Sequence, residues 1–534
     1  MNHLAQLGKT LGSVGWAISL IGLISGCAIG PDYLRPALPD SKTFGATDPR
    51  SEAAALRGMT AQRFVEGAQV PPDWWIAFGS PELNRLVERA FAANPNIEAA
   101  HAALRAAQEN VSAQRGYFFP TVQASYSPAR TKIAGNQGGN SPGVQGDGSV
   151  ISTTSGKPAS EGGTGPFNAP VIYNFHTAQL TVGFNPDVFG INRRLVESLQ
   201  AGARLQRFQL EATYITLASN VVAAAIQDAL LRRQLATTEA LVEAGVRALA
   251  LVQRQQSAGY ASKLDVANQE TALAQARQLL APLQKQLALN RNLLRALCGA
   301  AQDSDLPEIF SLDTLRLPAE LPLSLPSDMI EQRPDVRAAE EQLKAISALL
   351  GVARANRLPQ FSIDASAGGG ARQIAGMFSP GGPFFNLAGN ITAPLFDGGT
   401  LKFRERAARE NLNQAAAQYQ ATVINAFQNV ADTLQAIQSD AQALQAALAV
   451  EQSARTALSL TEKQHARGYI DRLVLLNAQR TVQQASFDVA QAQASRLGTS
   501  AALFQALGGG WQARDRNASV PPDGITKAAL QTGR

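Results

Sequence analysis

Apolar and polar residues alternate one by one over four short stretches of the chain and recur every three to four positions over much longer ones. In the first short stretch Val122, Ala124 and Tyr126 stand opposite Thr121, Gln123, Ser125 and Ser127. In the second, Ala178, Leu180, Val182 and Phe184 stand opposite Thr177, Gln179, Thr181 and Asn185. The third sets Phe361, Ile363, Ala365 and Ala367 against Ser362, Asp364 and Ser366; the fourth sets Phe385, Leu387, Ile391, Ala393 and Leu395 against Asn386, Asn390 and Thr392. A period of two predicts β-strands with one apolar and one polar face. Such faces fit a barrel wall with lipid outside and water inside. A soluble sheet packed on a core produces the same alternation, so the pattern alone leaves both open.

The long stretches predict helices. Residues 398–466 would rise about 100 Å if continuous, at 1.5 Å per residue. Along them Phe427, Val430, Leu434, Ile437, Ala441, Leu444 and Leu448 step alternately by three and four, as do Leu475, Ala478, Val482, Ala485, Val489 and Ala492 on the returning stretch. This 3.5-residue period points to coiled-coil-like packing, with an ordinary buried stripe as the alternative. Two further helices are expected at about 81–117 and 327–357, ending before Pro120 and Pro359, since a residue preceding proline disfavours the helical conformation.

These elements come in two similar sets. A shift of 239 positions carries Asn94-Pro95 onto Arg333-Pro334 and keeps Leu104/Leu343, Arg115/Arg354 and Pro120/Pro359 in register. A shift of 209 carries Gly259-Tyr260 onto Gly468-Tyr469, with Asn220/Asn429, Leu264/Leu473 and Asn268/Asn477 in register. The offset changes because the first set has the longer loop between its strands, about 131–172, rich in Gly, Ser, Thr and Asn. Each half reads helix, strand, loop, strand, long helix, tight turn, helix, an internal two-fold repeat. The expected division is 1–26, 27–325, 326–512 and 513–534, with irregular, Pro-rich structure drawn from 37–80, 300–326 and 508–534.

Residues 1–26 read as a secretory signal, with Lys9 as its charge and an apolar core from Leu11 to Ile24. The run Leu23-Ile24-Ser25-Gly26-Cys27 resembles a bacterial lipoprotein cleavage box, which makes Cys27 the expected lipidation site. Ala28, where an aspartate would redirect sorting, implies the outer membrane; an ordinary signal peptide with a chance cysteine is the alternative. No other segment holds eighteen consecutive apolar residues, so a mature chain that spans a membrane is expected to do so with strands.

Composition narrows the function. Of 534 residues 17% are charged and 6% aromatic, with a net charge of +5 spread thinly. No dense basic run with interleaved aromatics supports nucleic-acid binding. Cys298 is expected to be a buried small residue. Gly8-Lys9-Thr10 resembles the end of a phosphate-binding loop, but His3 stands where glycine is required. His3, His101, His176 and His465 show no ligand spacing and are expected on solvated faces. No catalytic constellation, cofactor or metal site is indicated.

Cys27 followed by Gly30-Pro31-Asp32-Tyr33-Leu34-Arg35-Pro36, Trp74-Trp75 with Phe78, the turns Gly259-Tyr260-Ala261-Ser262-Lys263-Leu264-Asp265-Val266 and Gly468-Tyr469 through Arg480, and Pro394-Leu395-Phe396-Asp397-Gly398-Gly399 together resemble the TolC-type outer-membrane efflux factors, lipoprotein subgroup (NodT or OprM-like). The resemblance covers nearly the whole chain. It implies a mixed fold: a homo-trimer in which four strands per protomer close one outer-membrane β-barrel, continuous with a long α-helical barrel in the periplasm. It implies an exit duct for drugs or other small toxic compounds, working with a periplasmic adaptor and an inner-membrane resistance-nodulation-division transporter. Closure has an independent argument, because four strands cannot close alone and an open edge cannot face lipid. The duct of a protein-secretion system and a non-conducting periplasmic scaffold are the alternatives.

In that family the periplasmic tip closes where the second long helix turns back, which maps to Gly468-Tyr469-Ile470-Asp471-Arg472-Leu473. Leu473, Asn477 and Arg480 are then the expected aperture, and Asn477 stands where family members commonly present aspartate. Gly259, Tyr260, Ser262, Asp265, Gly468, Tyr469 and Asp471 form the helix-turn tips. Ser262 to Asp265 has the spacing of a capping box, and Asp471 is placed to cap the second return. Capping and adaptor contact both remain open as roles for these tips.

Overall fold

The structure, a computed structural model, describes residues 29–31, 33–36, 62–133, 171–303, 305–323, 330–470 and 472–511. Cys27 and the signal 1–26, most of the Gly/Ser-rich loop, Asp32, Asp471 and the tail 513–534 lie outside the described residues. So do the rest of 37–61 and 324–326. The described residues fall into two compact units, each drawing on both halves of the sequence: one from Ala107–Ala203 and Leu343–Ala415 with residues up to Leu34, the other from Arg35–Ala106, Arg204–Gln342 and residues from Ala416 on.

The first unit holds an antiparallel meander. Strands β2 (Thr121–Ile133), β3 (Val171–Phe184), β5 (Gln360–Ala371) and β6 (Pro383–Thr392) pair in that order. The register aligns one row of apolar residues across all four strands, Val122–Val182–Ala365–Leu387, and beside it one polar row, Gln123–Thr181–Ser366–Asn386. A slip of one residue would exchange the two faces, so the alternation itself specifies the register. β2 and β6 are the edges, and neither has a second partner among the described residues. β2 reaches Ile133 and β3 begins at Val171, so the strands take in the ends of the stretch expected to be loop.

Long helices leave this sheet. In chain order the helices are α1 (Pro81–Ala93), α2 (Pro95–Arg115), α3 (Ile191–Ser257), α4 (Lys263–Gln278), α5 (Leu280–Leu297), α6 (Pro334–Ala355), α7 (Thr400–Ala466) and α8 (Arg472–Ala506). α3 and α7 have 67 residues each, which at 1.5 Å per residue is about 100 Å. Along α7 the expected seam is buried at Val430, Leu434, Ile437, Ala441 and Leu444, and extends back through Ala426, Val423 and Tyr419; Phe427 and Leu448 are half-buried. By length and composition α3 could cross a membrane, but 72% of its apolar window is buried against the protein itself.

Two expected helices are interrupted, each for a reason legible in its prolines. The stretch 81–117 breaks at Asn94, whose backbone is extended at φ −73°, ψ 121°. Pro95 disfavours the helical state there, and Asn94 Nδ2 donates to the Leu297 carbonyl at 2.8 Å. The first return breaks at Leu279, between α4 and α5. Pro282 has no N–H for the Gln278 carbonyl and its ring crowds that turn; Gln491 occupies the corresponding place in the unbroken α8.

In the second unit β1 (Arg63–Glu66) and β4 (Glu320–Leu323) form a short parallel pair, from regions expected to be irregular. Beside them Trp74 stacks on Phe504 at 5.3 Å, and Trp75 meets Phe91 edge-on at 5.4 Å. Trp74, Phe78, Leu83, Leu86 and Val87 are buried here. Cys298 is buried too, and burial pushes its thiol up to about 11. The described histidines depart from expectation: His101, His176 and His465 are half-buried and bonded to Tyr214, Tyr126 and the Ile470 carbonyl. Each imidazole finds an oxygen, two of them from distant residues, Tyr214 and Tyr126, that the local pattern does not register.

Candidate functional site

Four features of the fold stand out: the sheet, the N-terminal strap, the caps of the long helices and the helix-turn tips. On the sheet, the apolar face stays exposed in the single chain. The opposite face is hydroxyl- and amide-rich. Its one carboxylate among the described strand residues, Asp364, accepts from Asn390 Nδ2 and Ser362 Oγ, both at 3.2 Å.

The strap is the described stretch after Cys27. Ile29 N donates to the Phe189 carbonyl at 3.3 Å, just where β3 gives way to α3. Gly30, at φ +138°, lies against α6 so closely that a Cβ would sit 2.7 Å from Gly351 Cα. No other residue fits that approach. Arg194 Nη2 donates to the Gly30 carbonyl at 3.4 Å while Nη1 pairs with Glu197 at 2.7 Å. Tyr33 lies 5.2 Å beneath the Lys344 ammonium. In the other unit Arg35 donates to the buried Glu340 carboxylate at 2.8 Å. Gly30 and Tyr33 therefore have a packing role that their spacing did not disclose.

The two 67-residue helices start from matched carboxylate caps. Asp187 accepts from the N–H groups of Asn192 and Arg193 at 2.9 and 2.8 Å. Asp397 accepts from those of Gly399 and Leu401 at 2.8 and 2.7 Å, and these backbone bonds, Leu401 first, hold its carboxyl below the usual range. A carboxylate there satisfies orphan donors and opposes the positive end of the helix dipole. Sequence reasoning singled out Asp397 only within a motif and passed over Asp187; an aspartate shortly before a long helical stretch was the available signal.

At the first tip α3 ends with Gly259 at φ +82°, and Tyr260 N returns to the Gln255 carbonyl at 2.8 Å. Ser262 Oγ accepts from Asp265 N at 3.1 Å, and Asp265 Oδ2 accepts from Ser262 N and Oγ at 2.8 and 2.7 Å. This is the expected capping box. The Ser262 hydroxyl and N–H hold the Asp265 carboxyl below the usual aspartate range. At the second tip Gly468 has φ +78°, and Tyr469 N returns to the Gln464 carbonyl at 3.0 Å. Left-handed backbone at both turns requires glycine. Tyr260 and Tyr469 project into solvent. Asp471 and the Leu473 side chain lie outside the described residues.

Of the expected aperture, Asn477 and Arg480 are exposed on α8. Arg480 Nη2 donates to Gln275 Oε1 of α4 at 2.8 Å, and Arg472 Nη2 to the Ala248 carbonyl of α3 at 3.3 Å. The second return is thereby fastened to the two helices that meet at the first tip. The Arg480 bond to Gln275 was not foreseen, because the repeat shift does not pair those positions.

The chain is similar to known outer-membrane proteins over most of its length. The sequence profile described as outer membrane efflux protein matches residues 86–300 and 325–509. The pyoverdine export outer membrane protein OpmQ of Pseudomonas putida is 30% identical over 477 residues, 89% of this chain and 94% of that protein. The toluene efflux pump outer membrane protein TtgI of Pseudomonas putida is 27% identical over 500 residues, 92% of this chain and 96% of that one. Among solved structures, the outer-membrane channel OprN is similar with a TM-score of 0.76 and 25% identity, covering 91% of this chain and all of that one. The CmeC outer membrane channel of Campylobacter jejuni shares the fold at a TM-score of 0.77 and 20% identity, over 91% of this chain and 95% of that one.

Proposed function

The chain belongs to the outer membrane efflux protein family, and we propose that three copies of it close one barrel across the outer membrane, with the helices of the three forming the periplasmic duct. It is an outer-membrane efflux channel, the exit duct of a pump. The observation that carries closure by several copies is the four-stranded meander, whose two edges have no second partner among the described residues and whose apolar face is exposed; the number three is what the family resemblance implies. Such a sheet buries neither its edge N–H groups nor its apolar side chains, and in hydrocarbon each unpaired group costs several kcal/mol. Pairing β2 of one copy with β6 of the next satisfies the edges, and the hydrocarbon of the bilayer covers the apolar face.

The two halves, 27–325 and 326–512, act as structural repeats, each supplying one hairpin to the wall and one turn to the tip. Cys27 carries the lipid; what supports this is the Ile29 bond to Phe189, which fastens the chain two residues further on where β3 gives way to α3. Labelled palmitate should enter the wild type and not Cys27→Ser. The tips meet a periplasmic adaptor, and an inner-membrane resistance-nodulation-division transporter supplies the energy; no catalytic step is assigned to this chain. Leu473, Asn477 and Arg480 form the aperture. The cargoes for which those relatives are named, pyoverdine and toluene, are small molecules, which favours small compounds over proteins as cargo. Purified full-length protein should give discrete single-channel conductance in a planar bilayer; a preparation that inserts and conducts nothing would overturn the duct.

A further inference from the structure

The distribution of charge on the strands is lopsided. Among the described strand residues of the four-stranded sheet the formally charged side chains are Arg130, Lys132 and Asp364. Asp364 is on the polar face. The strand period puts Arg130 and Lys132 on the same face as Val122, Ala124 and Tyr126, the face turned to lipid. Both are exposed, and neither makes an ion pair or hydrogen bond with any described residue.

Their height in the wall is equally informative. The ends of β2, β3, β5 and β6 that join helices are the periplasmic ends, so Ile133 and Val171 lie at the outer end. Aromatic side chains mark the inner boundary, with Tyr117 and Phe119 exposed just before β2. A tilted strand crosses the hydrocarbon in about 9–11 residues, which starting from Phe119 ends at about residue 128. Tyr126 lies near that limit, its ring stacked on His176 at 6.1 Å and its hydroxyl 2.8 Å from His176 Nδ1. Arg130, opposite Asn174, and Lys132, opposite Ile172, come immediately beyond. A tyrosine near the boundary followed by two outward cations that no described residue pairs is an arrangement that can meet anionic headgroups.

We propose that Arg130 and Lys132 form a binding surface for the phosphates of the outer-leaflet glycolipid lipid A. The inference rests on the reading of the strands as a membrane wall. Arg130 supplies a planar fork for two phosphate oxygens and Lys132 a point charge one strand repeat further out. The surface would fasten the outer rim of the barrel to the lipid, as Cys27 fastens its inner rim.

The test uses full-length protein in mild detergent, titrated with lipid A, with enzymatically dephosphorylated lipid A and with inorganic phosphate. Wild type should bind lipid A and largely ignore the other two. R130Q/K132Q should weaken lipid A binding about 30-fold, from about 1 kcal/mol per basic residue at an anionic surface. Arg254→Gln, an exposed cation at the far end of α3, should bind as wild type does. Equal binding of both lipids, unchanged binding by the double variant, or displacement of lipid A by equimolar inorganic phosphate overturns the proposal. Single-channel recordings of the same preparations separate the two readings. Conductance without lipid discrimination overturns this inference alone, whereas a wild type that does not conduct removes the wall and this inference with it.

Discussion

Val423, Val430 and Leu444 on α7 keep 0% of their surface exposed, whereas Val122, Leu387 and Phe385 on the sheet keep 66%, 72% and 84%. The residues are equally apolar, and burying such a side chain is worth roughly 1.5–3 kcal/mol. The helical seam obtains that stabilisation within one chain. The sheet does not, although its register is just as regular. One region is therefore a finished core and the other an unfinished one, which the proposed wall completes with lipid on one face and further strands on both edges.

The contrast is sharpest where a side chain is removed from the finished core. Leu444→Ala should destabilise the protein by about 2–5 kcal/mol, the range for a buried leucine left as a cavity, read as a lower midpoint of denaturation followed by helical circular dichroism. Next comes a charge on the unfinished face: Leu180→Arg should cost about 2–4 kcal/mol near the bilayer midplane, while Gln179→Arg, one position on and facing the other way, should be mild. Refolding yields into lipid vesicles measure both; equal losses would mean that the two faces are not lipid and water.

At the first tip Ser262→Ala should cost about 1 kcal/mol through the lost cap, visible as faster hydrogen exchange at the start of α4. Asp265 adds a pH dependence. Its carboxyl titrates below the unfolded aspartate value of about 3.9. Its contribution is therefore present above that value and lost as pH falls through the lower, folded one. The smallest effect on stability and the clearest on transport should come from Asn477→Asp. It should leave denaturation unchanged, raise cation selectivity and introduce block by divalent cations from the tip side. A wild type already blocked in this way, with the variant no different, would remove Asn477 from the aperture.

Periodicity made most of this fold legible. Alternation predicted all four strands and the single apolar face they share, and the three-four step placed the α7 seam. The paired Gly-Tyr motifs located both tips, and Ser262 with Asp265 was recognised as a cap from spacing alone. What periodicity does not register is contact between distant segments. The breaks at Asn94 and Leu279 depend on Pro95 and Pro282, single residues inside otherwise helical patterns. The closeness of Gly30 to Gly351 and the Arg480 bond to Gln275 join positions hundreds of residues apart, and no local pattern encodes them. Asp187 escaped notice because a helix cap is one residue and the helix it starts is 67.

The claim on which the rest depends is that this sheet is one third of a closed wall. The most direct measurement is the mass of the full-length protein in mild detergent, by native mass spectrometry or by light scattering corrected for bound detergent. The account predicts three copies of the 56.4 kDa chain, less its signal, held together without cross-linking. A stable monomer that still forms the four-stranded sheet would contradict it.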